Sequence, residues 1–467
     1  MREVLNTEMK KDNFEKWQED LKVKTYPTLS KSLKADVAII GGGMMGVISA
    51  YLLSKAGKKV VLVEKKTLGG GATGVTTAFT TEILDTDAKD LVKMFGEEKS
   101  AFILESHQKA IDWIEHVSKD ENIDSEFIRV SDYIYSATKS EAKKLEEEYD
   151  IYKSLGVKAS LKKDKKLQFK NSGYIEVKDQ GKFHPLKFLG ALAKKAEENG
   201  ALIYENTEVK KIRRTTVILK NGEKIIAKDV IVATYDPFNK PLGLYFKKAF
   251  YTSYIYEIEV PAGEFVEGIY EDMENPYHYF RVDKMKGCDR IIVGGEDHRS
   301  DIKVSHAKNF QALHEYVMTI LKGVEYRIIS RWYGSILEPI DGLAFIGEIG
   351  RARHIHYAFG FSGNGMTYSV IAGQMLTNKI TGKDNGKLDK IYDASRIPSF
   401  KSLAIKGRDY AEELIHGAAV NSLKYRNHAK KPEYVLYRSR KMRIQMAILQ
   451  AQMKENLIMK ENWSVPV

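Results

Sequence analysis

Uninterrupted apolar runs bracket the stretch 37–63: VAII at 37–40 and VVLV at 60–63. Runs this short and this apolar predict strands buried on both faces, as in a parallel sheet. Residues 47–55 between them have a helical pattern, so the stretch reads strand, turn, helix, strand. VIVA at 230–233 and HIHYAFGF at 354–361 predict further strands of the same kind. Elsewhere the period changes. SAFILESHQKAIDWIEHVSK sets Ile103, Ile111, Ile114 and Val117 at helical spacing, and SEAKKLEEEYDIYKSLG repeats the pattern more weakly, so 96–165 is predicted helical. Pro185 opens a helix, LKFLGALAKKAEENG, that Gly200 closes. ALIYENTEVKKI predicts one strand, and Asn221-Gly222 marks a hairpin between TTVILK and EKIIAK. Residues 245–330 alternate in SYIYEIEV, YHYFRV and DRIIVGGE and predict antiparallel sheet. A glycine turn and a last helix, MTYSVIAGQMLTNKITG, complete the pattern.

The expected fold is α/β. A Rossmann-type domain in discontinuous segments, 35–95, 183–239 and 331–397, carries a mixed antiparallel-sheet substrate domain built from 96–182 and 240–330. Residues 1–34 form a lead-in and 398–467 a basic C-terminal helical extension.

Chemistry enters at the first turn, Gly41-x-Gly43-x-x-Gly46. Glycines at this spacing let the chain turn sharply, approach a pyrophosphate and pack helix on sheet. The helix start offers N–H groups and partial positive charge to phosphates. Glu64 ends the second strand 18 residues after Gly46, where a carboxylate accepts from ribose hydroxyls. The stretch therefore predicts a dinucleotide site.

Composition narrows the classes. The 467 residues are 43% hydrophobic and 29% charged, which suits a globular enzyme. No run of about 18 apolar residues predicts a membrane span. MREVLNTEMKKDNFEKWQEDLK lacks the apolar core of a signal peptide, so a cytoplasmic location is expected. Cys288 is the single cysteine, which excludes an intramolecular disulfide or a cysteine-held cluster. The formal charge is +11, but residues 401–467 hold 13 Lys/Arg against 6 Asp/Glu, so the remainder is near balance. No nucleic-acid partner is expected of the catalytic part. Residues 433–460 can form a basic helix with Met442, Met446, Leu449, Met453 and Leu457 at three- and four-residue spacing. Subunit contact or membrane-surface contact both suit it.

Further motifs stand in a definite order: GGGATGVTTA at 69–78, FHPL at 183–186, ENTEV at 205–209, VIVAT at 230–234, RIIVGGED at 290–297, RWYG at 331–334 leading through Asp341-Gly342 to FIG at 345–347, YAFGFSGNGMT at 357–367 and YDASR at 392–396. In these the chain resembles the D-amino-acid, glycine and sarcosine oxidase superfamily of FAD-dependent oxidoreductases, nearest the branch often fused to a Rieske domain. The resemblance spans about residues 20–397. It implies FAD held by Gly41, Gly43, Met44, Met45, Gly46, Glu64 and Lys65, with Thr73, Gly74, Thr76 and Thr77 passing the pyrophosphate and ribityl chain. Val209 would lie beside the adenine, with Ala233 and Thr234 nearby. Gly347, Gly363, Asn364, Gly365, Met366 and Thr367 would approach the flavin, the helix start facing its O2 and N1 edge. No histidine precedes His107 and Cys288 lies in predicted sheet, so the flavin is expected to be non-covalent.

The departures matter equally. One cysteine cannot build a Rieske cluster. Ile336 stands five residues before Asp341, where amino-acid oxidases of the superfamily commonly carry a carboxylate-binding arginine, and Thr80 and Thr81 stand where sarcosine oxidases carry basic residues. Tyr277, Tyr279 and Arg281 alternate on one strand face, opposite His278 and Phe280, and are the candidate catalytic residues. Arg281 would bind a substrate anion unless it is a solvated surface residue. Glu296 and His298 are secondary acid–base candidates, and His354 and His356 lack a third metal ligand. The expected reaction is hydride transfer from a carbon bearing nitrogen, on an amine or N-substituted amino acid, to flavin N5, with the electron acceptor open. The alternatives are a flavin-dependent nucleic-acid modification factor and an electron-carrier subunit.

Overall fold

The computed structural model describes residue 17 and residues 24–399, except 165, 240–247, 303, 351, together with residue 402. All of these lie in one compact unit, Met1–Gly407. The basic helix expected at 433–460 is outside the described residues. Among the described residues, no helix is long and apolar enough to cross a membrane.

The continuous apolar runs become the middle of a six-stranded sheet. Its order is Phe345–Glu348, Ile355–Phe359, Asp229–Val232, Val37–Ile40, Val60–Val63, Leu202–Tyr204, and every pair is parallel except the first. Both faces are covered, which is why these strands carry no alternation. Val37, Ile39, Leu62 and Ile231 face a helical layer, whereas Ala38, Ile40, Val61 and Val232 face a four-stranded sheet containing Val217 and Ile225. In the helical layer, Met44–Lys55 packs between Pro185–Glu198 and Gly365–Thr381. Side chains along most of its length are therefore buried. The crossing with the last helix is tight: a Cβ on Gly373 would lie 2.6 Å from Ile48 Cγ2.

The second large element is a nine-stranded mixed sheet. In order it runs Arg327–Pro339, Lys248–Pro261, Cys288–Arg299, His278–Met285, Gly268–Asp272, Ile128–Tyr135, Tyr174–Lys182, Phe79–Thr80, with Ala159–Lys162 added beside Tyr174–Lys182. Alternation sorts its two faces. Tyr254, Phe280, Val282 and Val293 pack with the helix His306–Ile320. Ile255, Ile292 and Trp332 face the other way, onto Ala78 and Leu186.

Three expectations change. The stretch 96–165 is not wholly helical: Glu97–Asp120 and Lys139–Ser154 are helices, but Ile128–Tyr135 between them is a strand. The segment ALIYENTEVKKI is two strands in two sheets, Leu202–Tyr204 and Val209–Arg213, separated by a turn with Asn206 at φ 49°. Residues 331–339, expected in the Rossmann-type domain, continue a strand of the large sheet.

Candidate functional site

The carboxyl ends of four adjacent parallel strands, at Ile40, Val63, Val232 and Phe359, open on one edge of the six-stranded sheet. Ligands bind at that edge in open α/β sheets. The glycine turn sits there, and its sequence has local causes. Gly41 has φ 112°, and a Cβ on it would overlap Ala233 O. A Cβ on Gly46 would overlap Gly41 O, so the third glycine lets the helix seat on its own turn. Met44 and Met45 are buried beneath the turn, and Met44 N–H donates to Thr73 Oγ1 (3.1 Å). Glu64 accepts from Gly42 N–H (2.8 Å) and Lys66 N–H (2.9 Å), so the expected ribose acceptor also closes the turn. Lys65 beside it is exposed. The 205–209 segment wraps the same strand end, with Thr207 N–H donating to Glu64 O (2.8 Å), and this brings Val209 to that corner. Ala233 and Thr234 follow the neighbouring strand.

A row of buried donors shapes the next segment, 71–78, which opens with the short helix Ala72–Val75. Trp332 Nε1 donates to Val75 O (2.9 Å) and Trp17 Nε1 to Thr76 O (2.8 Å). Arg281 donates to Thr77 O (2.9 Å) and Ala78 O (2.7 Å). Four successive carbonyls are thus drawn to one side. Thr73 and Gly74 are buried in this loop, and Thr76 and Thr77 are half-buried.

The helix Gly365–Thr381 starts close by. Asn364 donates to Ile83 O (2.9 Å), and Asp85 accepts from Gly363 N–H (2.7 Å), which ties loop 81–85 to the helix start. Thr367 hydroxyl meets His107 Nδ1 (2.7 Å). Burial pushes His107 down to about 3, so it stays neutral under the helix end. Met366 is buried in the same turn. Gly347 stands apart: its nearest neighbours are Ala394 N and Lys379 Nζ, both 4.0 Å from a Cβ placed on it. Lys379 is in the last turn of this helix, about 20 Å from Gly365 at 1.5 Å per residue, so Gly347 does not join the other flavin candidates.

The large sheet supplies the opposing wall. Tyr279 pairs with Gly294, whose missing side chain leaves room for the Tyr279 ring. That ring packs edge-on to Phe79 (5.8 Å) and its hydroxyl meets Ser253 Oγ (3.2 Å). Tyr277 lies beside it (5.7 Å between rings) and bonds the Glu271 carboxylate. Burial followed by nearby carboxylates pushes Tyr277 well up, so it is a neutral phenol. Asp297, hydrogen-bonded to Ser253, is pushed up to about 7 by burial.

Arg281 departs from its expected role. It shares the sheet face of Tyr279 and is buried, but Nε and Nη2 bond Asp283 (2.8–3.2 Å) while Nη1 serves Thr77, Ala78 and Phe183 carbonyls. A guanidinium with five protein acceptors is a clasp, not a receptor for a substrate anion. Glu296 and His298 are also engaged on the far side: Glu296 accepts from His278 (3.1 Å), and His298 stacks on Tyr254 (5.7 Å). His354 and His356 both bond Asp229 (3.1 and 3.0 Å). Asp272, Glu274 and His278 each bring a ligand-type atom within 4.8 Å of one another, yet both His278 nitrogens already meet carboxylates.

Sequence reasoning missed the two indole pins and the carboxylates Asp85, Asp132, Glu271 and Asp297. The indoles carried a signal, because a buried tryptophan N–H seeks an acceptor. The carboxylates carried none.

Comparison with known proteins agrees with this geometry. Residues 36–379 match the family described as "DAO: FAD dependent oxidoreductase". The chain is 30% identical over 409 residues to the putative Rieske 2Fe-2S iron-sulfur protein YhfW of Bacillus subtilis, covering 86% of this chain and 80% of that one. It is 24% identical over 409 residues to gamma-glutamylputrescine oxidoreductase of Escherichia coli, covering 81% and 88%. The solved glycine oxidase of Geobacillus kaustophilus superposes with a TM-score of 0.64 at 21% identity, over 79% of this chain and 100% of that one. The turn that only glycine permits, the strand ends that converge on it and a family match over most of the sequence lead to one conclusion: this chain belongs to the DAO family of FAD-dependent oxidoreductases.

Proposed function

We propose that this flavoprotein oxidises a C–N bond of an amine or an N-substituted amino acid. FAD, when bound, supplies the hydride acceptor. Gly41, Gly43 and Gly46 would hold its pyrophosphate, Glu64 its ribose, the 73–77 loop its middle and the 363–367 turn the flavin end. The oxidised substrate is an imine, which water hydrolyses. Gamma-glutamylputrescine oxidoreductase and glycine oxidase, by their names, act on nitrogen compounds, and both support this class.

The observation that separates the candidates is that neither of two positions offers a cation free to meet a substrate carboxylate. Ile336 is apolar, and Arg281 is fully engaged by Asp283 and three carbonyls. A buried substrate carboxylate at either place would be unpaired, at a cost of several kcal/mol. Tyr277 and Tyr279 instead offer neutral phenols and aromatic faces to a protonated or alkylated amine. The test is anaerobic mixing of the purified holoprotein with amines, N-alkylated amino acids and simple amino acids, followed by flavin absorbance. Larger amines should bleach the flavin, and glycine, sarcosine and D-alanine should do so poorly. Fast bleaching by glycine or sarcosine would refute the assignment.

A further inference from the structure

Beside Tyr277 the sheet buries Asp132 and Glu271, and among the described residues neither is paired with a cation. Asp132 sits on Ile128–Tyr135 opposite Ile269, and Glu271 lies two residues further along the parallel neighbour. A spacing of two keeps Asp132 and Glu271 on one face. Glu271 is also opposite Tyr279, so this is the face that carries the tyrosines. Asp132 is fully buried. Its Oδ2 accepts from Thr81 (3.1 Å) and the Tyr133 backbone N–H also acts on the carboxylate, while among the described residues its Oδ1 has no hydrogen-bond partner of its own. Glu271 keeps an exposed edge of 8% and bonds Tyr277. Buried carboxylate oxygens without donors are rare, because each costs the desolvation of a strong acceptor.

We propose that Glu271 and Asp132, with Tyr277 at the entrance, form a subsite for the second, non-reacting ammonium group of a diamine substrate. The proposal rests on the reading that the flavin oxidises an amine, and it adds the substrate class. An alkyl ammonium supplies three donors in a compact head, which matches two carboxylates and a phenol oxygen. Among the described residues, the groups that act most on Glu271 are acidic or neutral, namely Asp132, Asp85 from the 81–85 loop, Asp272 from the same strand and Tyr277, while His278 is held by Asp272 and Glu296. Burial first, then Asp132 and Asp85, raise Glu271, so the empty subsite retains protons that a cation would displace.

The experiment uses oxidised holoprotein and two probe series: α,ω-diaminoalkanes of three to six carbons and the matched n-alkylamines. Affinity is read from perturbation of the flavin spectrum. Proton release is read by calorimetry at pH 6.5 in buffers of different ionisation enthalpy. At least one diamine should bind about tenfold or more tightly than its monoamine, as a charge-assisted pair implies. Its binding should release protons. Glu271→Gln and, independently, Asp132→Asn should abolish both the preference and the release. Equal affinities across all pairs, with monoamines still reducing the flavin, would overturn the subsite and leave the amine reading standing. Neither series reducing or perturbing the flavin would overturn both. A diamine preference that survives both substitutions would place the second ammonium elsewhere and also overturn the proposal.

Discussion

Replacing Arg281 by alanine distinguishes a structural clasp from a substrate receptor, and the two roles predict different losses. Burial favours protonation of Asp283, yet Arg281 and Lys182 together hold it down to about 2. Arg281→Ala leaves this carboxylate with Lys182 (2.6 Å) alone and removes the donors of Thr77, Ala78 and Phe183 carbonyls. Breaking a buried ion pair from one side costs about 3–5 kcal/mol. At about 2.1 cal/mol/K per residue, roughly 400 folded residues have an unfolding entropy near 0.8 kcal/mol/K, so a loss of about 4 kcal/mol lowers Tm by about 5 °C. The sign with pH follows from the depressed carboxyl. Its stabilisation is present above the unfolded value and lost as pH falls toward 2, so the deficit should be full at neutral pH and shrink below about pH 4. The assay is calorimetry of holoprotein with flavin occupancy measured after gel filtration. Arg281→Ala should lose Tm and flavin together, because Thr77 and Ala78 border the loop proposed to hold the cofactor, and Arg281→Lys should be intermediate. An unchanged Tm and full flavin content, with only substrate affinity reduced, would show that the guanidinium is free to bind substrate and would refute the clasp.

Glu64→Ala should lower FAD affinity about tenfold or more by removing the proposed ribose acceptor and the partner of Gly42 N–H, whereas Glu64→Gln should retain the turn and lose less. Unchanged occupancy in Glu64→Ala would show that the acid serves the turn alone. Glu82 is buried against Gln180 and burial raises it to about 7, so the folded protein binds a proton there that the unfolded chain releases above about 4.5. Stability should fall as pH rises from about 4.5 to 7, and Glu82→Gln should recover up to about 3 kcal/mol at pH 9 and almost nothing at pH 4, measured by urea denaturation. Deleting residues 430–467 should leave the flavin spectrum intact and alter only self-association or vesicle binding, and loss of flavin from the truncated protein would contradict that.

Much of the architecture was legible because burial on two faces writes itself plainly. Val37–Ile40 and Val60–Val63 needed no partner to be read as parallel strands, and Gly41 and Gly46 stand where a side chain would overlap backbone. His184 and Pro185 were legible for a local reason too: His184 Nδ1 accepts from Lys187 N–H (3.2 Å) and proline needs no donor at a helix start. The strand Ile128–Tyr135 was not legible. Its alternation is broken by a register shift between Val130 and Asp132, and one of its partners, Gly268–Asp272, lies far along the chain. A pattern that depends on a distant neighbour has no local period to detect.

The candidate site divides along the same line. Alternation put Tyr279 and Arg281 on one face, because period two is a property of the strand itself, and Tyr277, which precedes the strand His278–Met285, packs its ring on Tyr279. What Arg281 does there depends on what else shares that face. Part of the answer was in the sequence: Asp283, two residues on, must lie on the same side and within reach of a guanidinium. The rest was not. Thr77, Ala78 and Phe183 come from outside the strand, and the carbonyls they offer are carried by every residue type. The acidic pocket is the extreme case. Asp85, Asp132 and Glu271 are separated by 47 and 139 residues and have no shared motif. Sheet pairing brings Asp132 and Glu271 together, and the 81–85 loop adds Asp85. Carboxyl groups buried side by side must either hold protons or meet a cation. Among the described residues no cation pairs with Asp132 or Glu271, and that is the physical reason to look for one in the substrate.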